Sequence, residues 1–262
     1  GGYPIPVYLL DTNVEGNSDW DRGLTDQLYG GDNFYRLCQE VILGIGGVRV
    51  LNAVGHRGIQ KFHMNEGHSA LLAMELMEQL LGDRPLTDAS HEDVDALRMR
   101  CVFTTHTPVP AGHDRFPRDF VNRVLGNDRA AALERGRCFD GDFLNMTYLA
   151  LRSSGYINGV AMLHGEVSKS MFPAYPVSAI TNGVHVPTWT SNAMAKLFDE
   201  NIPEWRVDSE YLRYALGIPV QSIWDAHQVA KLDTLRRINE VTGSDLDPNV
   251  FTIGFARRAA TY

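Results

Sequence analysis

The chain has 262 residues, with 24 Lys and Arg against 32 Asp and Glu, for a formal net charge of −8. With 44% hydrophobic and 21% charged residues it has a globular balance, which excludes disorder and low complexity; the acidic surplus excludes a phosphate-backbone binder, which needs clustered Lys and Arg. No apolar run approaches the roughly 20 residues that cross a bilayer, because Gly44, Gly46 and Gly47 break residues 41–50, and Glu75, Glu78 and Gln79 break residues 70–81.

Residues 5–10 (IPVYLL) read as a buried strand, followed by a turn at Asp11 and Asn13. From residue 33 to 53 the period is helical, with Leu37, Val41, Ile45 and Val48 on one face. Residues 61–65 (KFHMN) predict a short strand, and 67–81 a helix apolar around most of its circumference, hence buried on several sides. Residues 87–100 predict a surface helix with Thr87, Asp88 and Ser90 as candidate caps. A strand at 101–105 (CVFTT) leads into a Pro/Gly-rich loop at 108–114. One or two helices follow over 145–171, then a strand at 176–180 ending in an Asn182-Gly183 turn. Pro219 opens a long helix with Val220, Ile223, Trp224, Ala230, Leu235, Ile238 and Val241 on one side, and residues 250–255 (VFTIGF) read as a final buried strand. Strands alternating with helices predict an α/β chain with mostly parallel strands, and the largely helical stretch 184–247 sets a domain boundary near 182–189.

The cysteines Cys38, Cys101 and Cys138 are scattered and odd in number, with no C-x-x-C, so they read as reduced thiols suited to the cytoplasm. No basic stretch followed by an apolar core stands at the N-terminus. Both ends read as cut.

In an open α/β sheet, ligands bind beyond the carboxyl ends of the strands. Four predicted strands run into unusual polar residues there: Asn65-Glu66-Gly67-His68, His106-Thr107, Asn182 to His185, and Arg257-Arg258. They predict one polar crevice wall. His63, Glu66 and His68 have an H-x-x-E-x-H spacing across a strand-to-helix turn, which scatters the side chains rather than facing them on one helix, so no metal site is predicted. Gly44, Gly46 and Gly47 lack the spacing and the preceding strand of a dinucleotide fingerprint and fit close helix packing instead. Neither G-x-S-x-G nor a P-loop occurs, and no spacing pairs two carboxylates in glycosidase fashion. Two guanidinium groups at a strand end suit an anion, since planar charged forks match phosphate oxygens. Asp32 or Asn33, after Gly30-Gly31, reads either as a helix cap or as part of a loop presented to sugar hydroxyls.

Six ordered segments now stand out: residues 28–33 (LYGGDN), 65–70 (NEGHSA), 104–114 (TTHTPVPAGHD), 158–166 (NGVAMLHGE), 181–189 (TNGVHVPTW) and 254–262 (GFARRAATY). Together they resemble the α-glucan phosphorylases, especially the compact bacterial type, across essentially the whole chain. The resemblance implies a Rossmann-like fold that is part of a two-domain glycosyltransferase of the GT-B type. Residues 1–182 would be the latter part of the N-terminal glucan-binding domain. Residues 183–262 would be a helical connection and the first strand of an incomplete second domain. It also implies phosphorolysis of α-1,4-glucans, such as maltodextrin, from the non-reducing end by inorganic phosphate, giving glucose 1-phosphate with retained configuration. The implied cofactor is pyridoxal phosphate, used through its phosphate group, and the implied assembly is a cytoplasmic homodimer with no nucleic-acid or membrane partner.

Carried over by motif, His106 resembles the histidine beside the transferred glucose, and Arg258 the arginine that orients the substrate phosphate; these two are the expected catalytic residues. Asn182 resembles an asparagine on a sugar hydroxyl, Asp32 and Asn33 the gating loop, and Tyr262 a tyrosine of the glucose pocket. Glu66 and His68 resemble the acid and histidine of the adjacent pocket, where animal enzymes carry Asp. Arg257 stands where the animal motif has Lys, beside the substrate and cofactor phosphates, and Trp189 resembles a tryptophan near the cofactor. The logic suits an oxocarbenium-like transition state, which needs an anion near the anomeric carbon. Lys61, Lys169, Lys196 and Lys231 all lie in unrelated segments, so the cofactor lysine is not in this chain, and the 262 residues alone are expected to be inactive. A nucleotide-sugar glycosyltransferase would need a nucleotide-binding carboxylate and loop absent from the sequence. A non-catalytic glucan-binding module would need exposed aromatic platforms, whereas Trp189, Trp205 and Trp224 fall in crevice or helical contexts.

Overall fold

The computed structural model describes residues 4–28 and 30–256. They form two compact units that divide after Asn182.

In the first unit, α1 (Asp19–Arg22) precedes α2 (Asn33–Val41), which runs through a π turn at Ile42–Gly46 into α3 (Gly47–Ala53). The predicted helical face is real: Leu37, Ile45 and Val48 are buried. Strand β1 (Phe62–Asn65) ends in a single 3-10 turn, Gly67–Ser69, before α4 (Leu72–Leu81), whose residues 72–77 are all buried. Helix α5 (His91–Arg100) is capped by Ser90 in a reciprocal box with Asp93, while Thr87 and Asp88 belong to a separate preceding turn. Strand β2 (Cys101–Thr105) follows. Then come β3 (Arg115–Pro117), α6 (Arg118–Leu125), α7 (Asn127–Arg135), β4 (Phe139–Asp140) and β5 (Phe143–Asn145). The three strands among these make a small antiparallel sheet. Helix α8 (Met146–Ser153), β6 (Tyr156–Gly159), α9 (Met162–Met171) and β7 (Val177–Ala179) complete the unit.

The main sheet is four-stranded and entirely parallel, in the order β1-β2-β6-β7. Helices follow the strands, so the chain is α/β with a parallel sheet, as expected. Met64, Phe103, Leu71, Leu76, Met146 and Leu151 are fully buried in the core. Residues 145–171, expected to form one or two helices, hold two, α8 and α9, with β6 between them; its four residues, Tyr-Ile-Asn-Gly, carry one aliphatic side chain and no strand period that would announce it.

The second unit has α10 (Val186–Trp189), α11 (Asn192–Asn201), a 3-10 segment at Ser209–Gly217, and α12 (Val220–Thr242). Trp205, Ile202 and Ile218 form its small core. Pro219 stands at the N-cap of α12 and Gly243 ends it in the left-handed conformation. Only Ala226 and Leu235 of α12 are buried, so the predicted apolar side is largely exposed: Val220, Trp224 and Val241 all face solvent.

Two predicted strands are absent. Residues 4–10 and 251–256 are irregular, and Ile5, Leu9, Phe251 and Phe255 are exposed. A strand needs a hydrogen-bonded neighbour, and apolar composition without one leaves the segment open.

Candidate active site

The loop that leaves β1 is built around Glu66. Its φ of 70° and ψ of 177° lie in a region that side chains rarely enter. That conformation turns the carboxylate toward the end of β2. One oxygen accepts the main-chain N–H of His106 at 2.7 Å and the Thr107 hydroxyl at 2.9 Å; the other accepts the Gly67 N–H at 3.2 Å. In return the Glu66 N–H donates to the Thr104 carbonyl at 2.9 Å. The two strand ends are thus tied together, and the His106 side chain stands exposed beyond the sheet.

A second network lies beside the first. Arg36 and Glu40 of α2 meet His68, just after β1, and Asp114, from the loop after β2. His68 Nδ1 is 2.8 Å from Asp114 Oδ2, and Arg36 approaches the same carboxylate at 3.2 Å and Glu40 at 3.3 Å. Burial pushes the Glu40 carboxyl up to about 8, with Asp114 acting in the same direction against His68 and Arg36. Hydrogen bonding to Asp114 and Glu40 raises His68 to about 9, against its burial. Burial would raise Asp114 too, but His68, Glu40 and Arg36 outweigh it and hold the carboxyl below the usual range. Arg36 also lies 2.8 Å from His68 Nδ1. That nitrogen cannot accept from Arg36 while donating to Asp114, and the raised imidazole keeps its proton for the carboxylate. Donor atoms of Glu40, His68 and Asp114 all lie within 4.8 Å of one another, in cation-binding geometry, but the guanidinium supplies the positive charge there.

A third chain of contacts crosses the sheet. His63 Nε2 donates to the Thr104 hydroxyl at 2.6 Å, which donates to Asn158 Oδ1 at 2.9 Å. His63, Glu66 and His68 therefore go to three different partners. Beyond β7, the Asn182 N–H donates to the Val160 carbonyl at 3.0 Å, and its side chain is exposed. In the strand order, β7 lies two places from β2, about 10 Å away at ordinary strand spacing. Asn182 and His106 thus stand at the same end of one sheet.

The expected wall is therefore formed by Glu66, His68, His106 and Asn182 on three strand ends. Asp32 caps α2, its carboxylate accepting the Tyr35 N–H at 2.9 Å, and Asn33 is the first helical residue. One turn further on, Arg36 pairs with Asp114, which in turn holds His68, so the segment is fixed to the wall. Trp189 ends α10 in the second unit and is 79% exposed. The fourth predicted strand, residues 250–255, is irregular and contributes no strand end; Arg257, Arg258 and Tyr262 lie outside the described residues.

No family model matches the chain. Curated relatives do. At 39% identity, 98% of the chain aligns with 34% of the maltodextrin phosphorylase of Thermococcus litoralis. The same share aligns with 35% of the glycogen phosphorylase of Mycobacterium tuberculosis at 34% identity, and with 42% of that of Aquifex aeolicus at 31%. The chain is homologous to a segment of the α-glucan phosphorylases. It spans about a third of the length of the first two relatives.

Against this phosphorylase background, Arg36, Glu40 and Asp114 are wall residues that sequence reasoning did not single out. The available signal was Glu40 itself: it lies three residues from Leu37 and four from Gly44, inside the buried stripe of α2. A carboxylate on an apolar stripe is the informative exception.

Proposed function

We propose that this chain forms the glucan-binding wall of a retaining α-glucan phosphorylase, which transfers the terminal glucosyl unit of an α-1,4-glucan such as maltodextrin to inorganic phosphate. The reading is carried by one conjunction: His106, its Glu66 anchor and Asn182 share one strand-end face in a chain that aligns with phosphorylases over 98% of its length. His106 then lies beside the transferred glucose, with its main chain held by Glu66. Asn182 binds a sugar hydroxyl, and Asp32 and Asn33 form the gate at the start of α2. His68 lines the neighbouring pocket as an imidazolium paired with Asp114. Arg257, Arg258 and Tyr262 complete the sugar and phosphate contacts in the carried-over motif.

In this reading residues 1–182 are the latter part of the first domain of a GT-B enzyme, and 183–262 lead into the second. The whole protein is a cytoplasmic homodimer and uses pyridoxal phosphate, with Trp189 nearby. This chain's lysines do not suit the cofactor: Lys61 holds the Met99 carbonyl, Lys169 pairs with Glu166, Lys231 holds the Val250 carbonyl, and Lys196 sits on the exposed side of α11.

The test is glucose 1-phosphate release from maltodextrin by a protein that includes this chain and a complete second domain. Phosphate-dependent release, reduced at least about a hundredfold by His106→Ala, is the expected result. Transfer from a nucleotide sugar without phosphorolysis, or maltodextrin binding without turnover, would replace the proposal.

A further inference from the structure

At the opposite end of the sheet, a cavity of about 540 Å³ lies between α4, α5, α7 and α8. Arg98 and Arg152 line it three and four residues before the starts of β2 and β6, so it is far along the strands from the polar wall. Its volume is that of a small-molecule site.

The lining divides by chemistry. Met74, Met77, Leu97, Leu133 and Leu149 are buried and make an apolar floor. Arg98, Arg135 and Arg152 supply three guanidinium groups, and among the described residues no Asp or Glu lines the cavity. In a chain of net charge −8, that local excess is a departure from the rest of the surface. Arg98 Nε holds the Arg152 carbonyl at 2.8 Å, and Arg135 holds the Thr87 carbonyl, which fixes both side chains at the rim. Asp95, outside the lining, reaches Arg98 only at 3.4 Å.

Arg152 is different. Its Nε is buried without a hydrogen-bond partner, and among the described residues its guanidinium forms no ion pair. Arg152 as a whole is half-buried and lines the cavity, and an anion entering there would supply the charge partner it lacks.

We propose that this cavity is a binding site for a small anionic amphiphile: an apolar, flat or acyl body against the methionine and leucine floor, with a carboxylate, phosphate or sulfonate on Arg152 and the rim arginines. The site is separate from the strand-end wall and does not depend on the phosphorylase reading.

The probe is 8-anilinonaphthalene-1-sulfonate, with N-phenyl-1-naphthylamine as its uncharged twin, in fluorescence titrations of the folded protein. One saturable equivalent of the sulfonate per chain is expected. Arg152→Met should weaken it about tenfold or more, the usual consequence of losing a charge-assisted hydrogen bond. Ala132→Trp, which fills the cavity from its rim, should abolish it with the guanidinium intact. Equal affinity for the sulfonate and its uncharged twin would overturn the proposal, as would wild-type affinity in either variant. The comparison of the two probes on the wild-type protein decides the matter even where a variant fails to fold.

Discussion

Glu66 at the end of β1 holds the main-chain nitrogen of His106 at the end of β2, and it does so from a backbone conformation almost reserved for glycine. Such a conformation is worth roughly 1–3 kcal/mol of strain and persists where neighbouring contacts outweigh it. Here the contacts are the three hydrogen bonds to Gly67, His106 and Thr107. Replacing Glu66 removes the bonds but not the conformation demanded of the chain. Glu66→Ala should therefore be less stable than Glu66→Gly, by about 1 kcal/mol after allowing for the greater freedom of glycine when unfolded. Denaturant unfolding of the two variants gives the difference directly. An alanine variant at least as stable as the glycine one would mean the backbone relaxes and the strain is not held.

The polar strand ends at 65–68, 105–107 and 181–182 were legible because each strand announces itself by a short apolar run and each loop begins with residues that have no packing role. What joins them was not. The Glu66 bonds to His106 and Thr107 depend on a φ that no residue preference predicts, since residues with a side chain rarely enter that region. The Arg36–Glu40–His68–Asp114 network depends on α2 lying against two loops distant in sequence. The outer strands failed for the opposite reason: IPVYLL and VFTIGF have strand composition, but pairing is a property of two segments and cannot be read from one. Strand β6 shows the converse, since pairing with β2 and β7 imposes extended structure on a sequence with little preference for it.

The glycines at 44–47 suggest close helix packing, and the structure narrows this to one residue. A Cβ on Gly44 would stand 2.8 Å from the Leu72 nitrogen and 3.0 Å from the Leu71 carbonyl carbon, both backbone atoms that cannot swing aside. At Gly47 nothing lies within 4 Å. Gly44→Ala should cost about 2 kcal/mol or more through forced separation of the π turn from α4. Gly47→Ala should be neutral or stabilising by up to about 1 kcal/mol, because alanine is the better helix former. Thermal unfolding of both variants tests the pair, and equal effects would contradict the assignment.

Stability should fall on the alkaline side of neutrality. Glu40 is raised from an ordinary 4.5 to about 8, so its contribution is complete below pH 4.5 and is lost as pH rises through 8. His68 is raised from 6.5 to about 9, so its contribution is complete below pH 6.5 and is lost through 9. Asp114 is lowered, so its contribution is present above its ordinary 3.8 and is lost only on acidification. Between pH 6.5 and 8 the two raised groups act together, from 8 to 9 His68 continues alone, and nothing in the cluster opposes them. The denaturation midpoint should drop across that window, and Glu40→Gln should flatten the fall below pH 8. A midpoint constant from pH 6.5 to 9 in the wild-type protein would contradict the assigned directions.

Arg36 provides the sharpest test of the cluster, because it occupies the position where a cation would balance Asp114 and Glu40. Removing it takes the guanidinium from buried Glu40 and leaves half-buried Asp114 with His68 as its cationic partner, and Arg36→Ala should lose about 2 kcal/mol. The same change exposes three donor atoms within 4.8 Å of one another, one imidazole nitrogen and two carboxyl oxygens, a set suited to zinc. Zinc should accordingly raise the unfolding temperature of the Arg36→Ala protein by a few degrees, through binding to the folded state alone, and leave the wild-type protein unmoved. An equal zinc effect on both proteins would place the ion elsewhere. No effect on the variant would mean that Glu40, His68 and Asp114 are held together by the guanidinium and move apart without it.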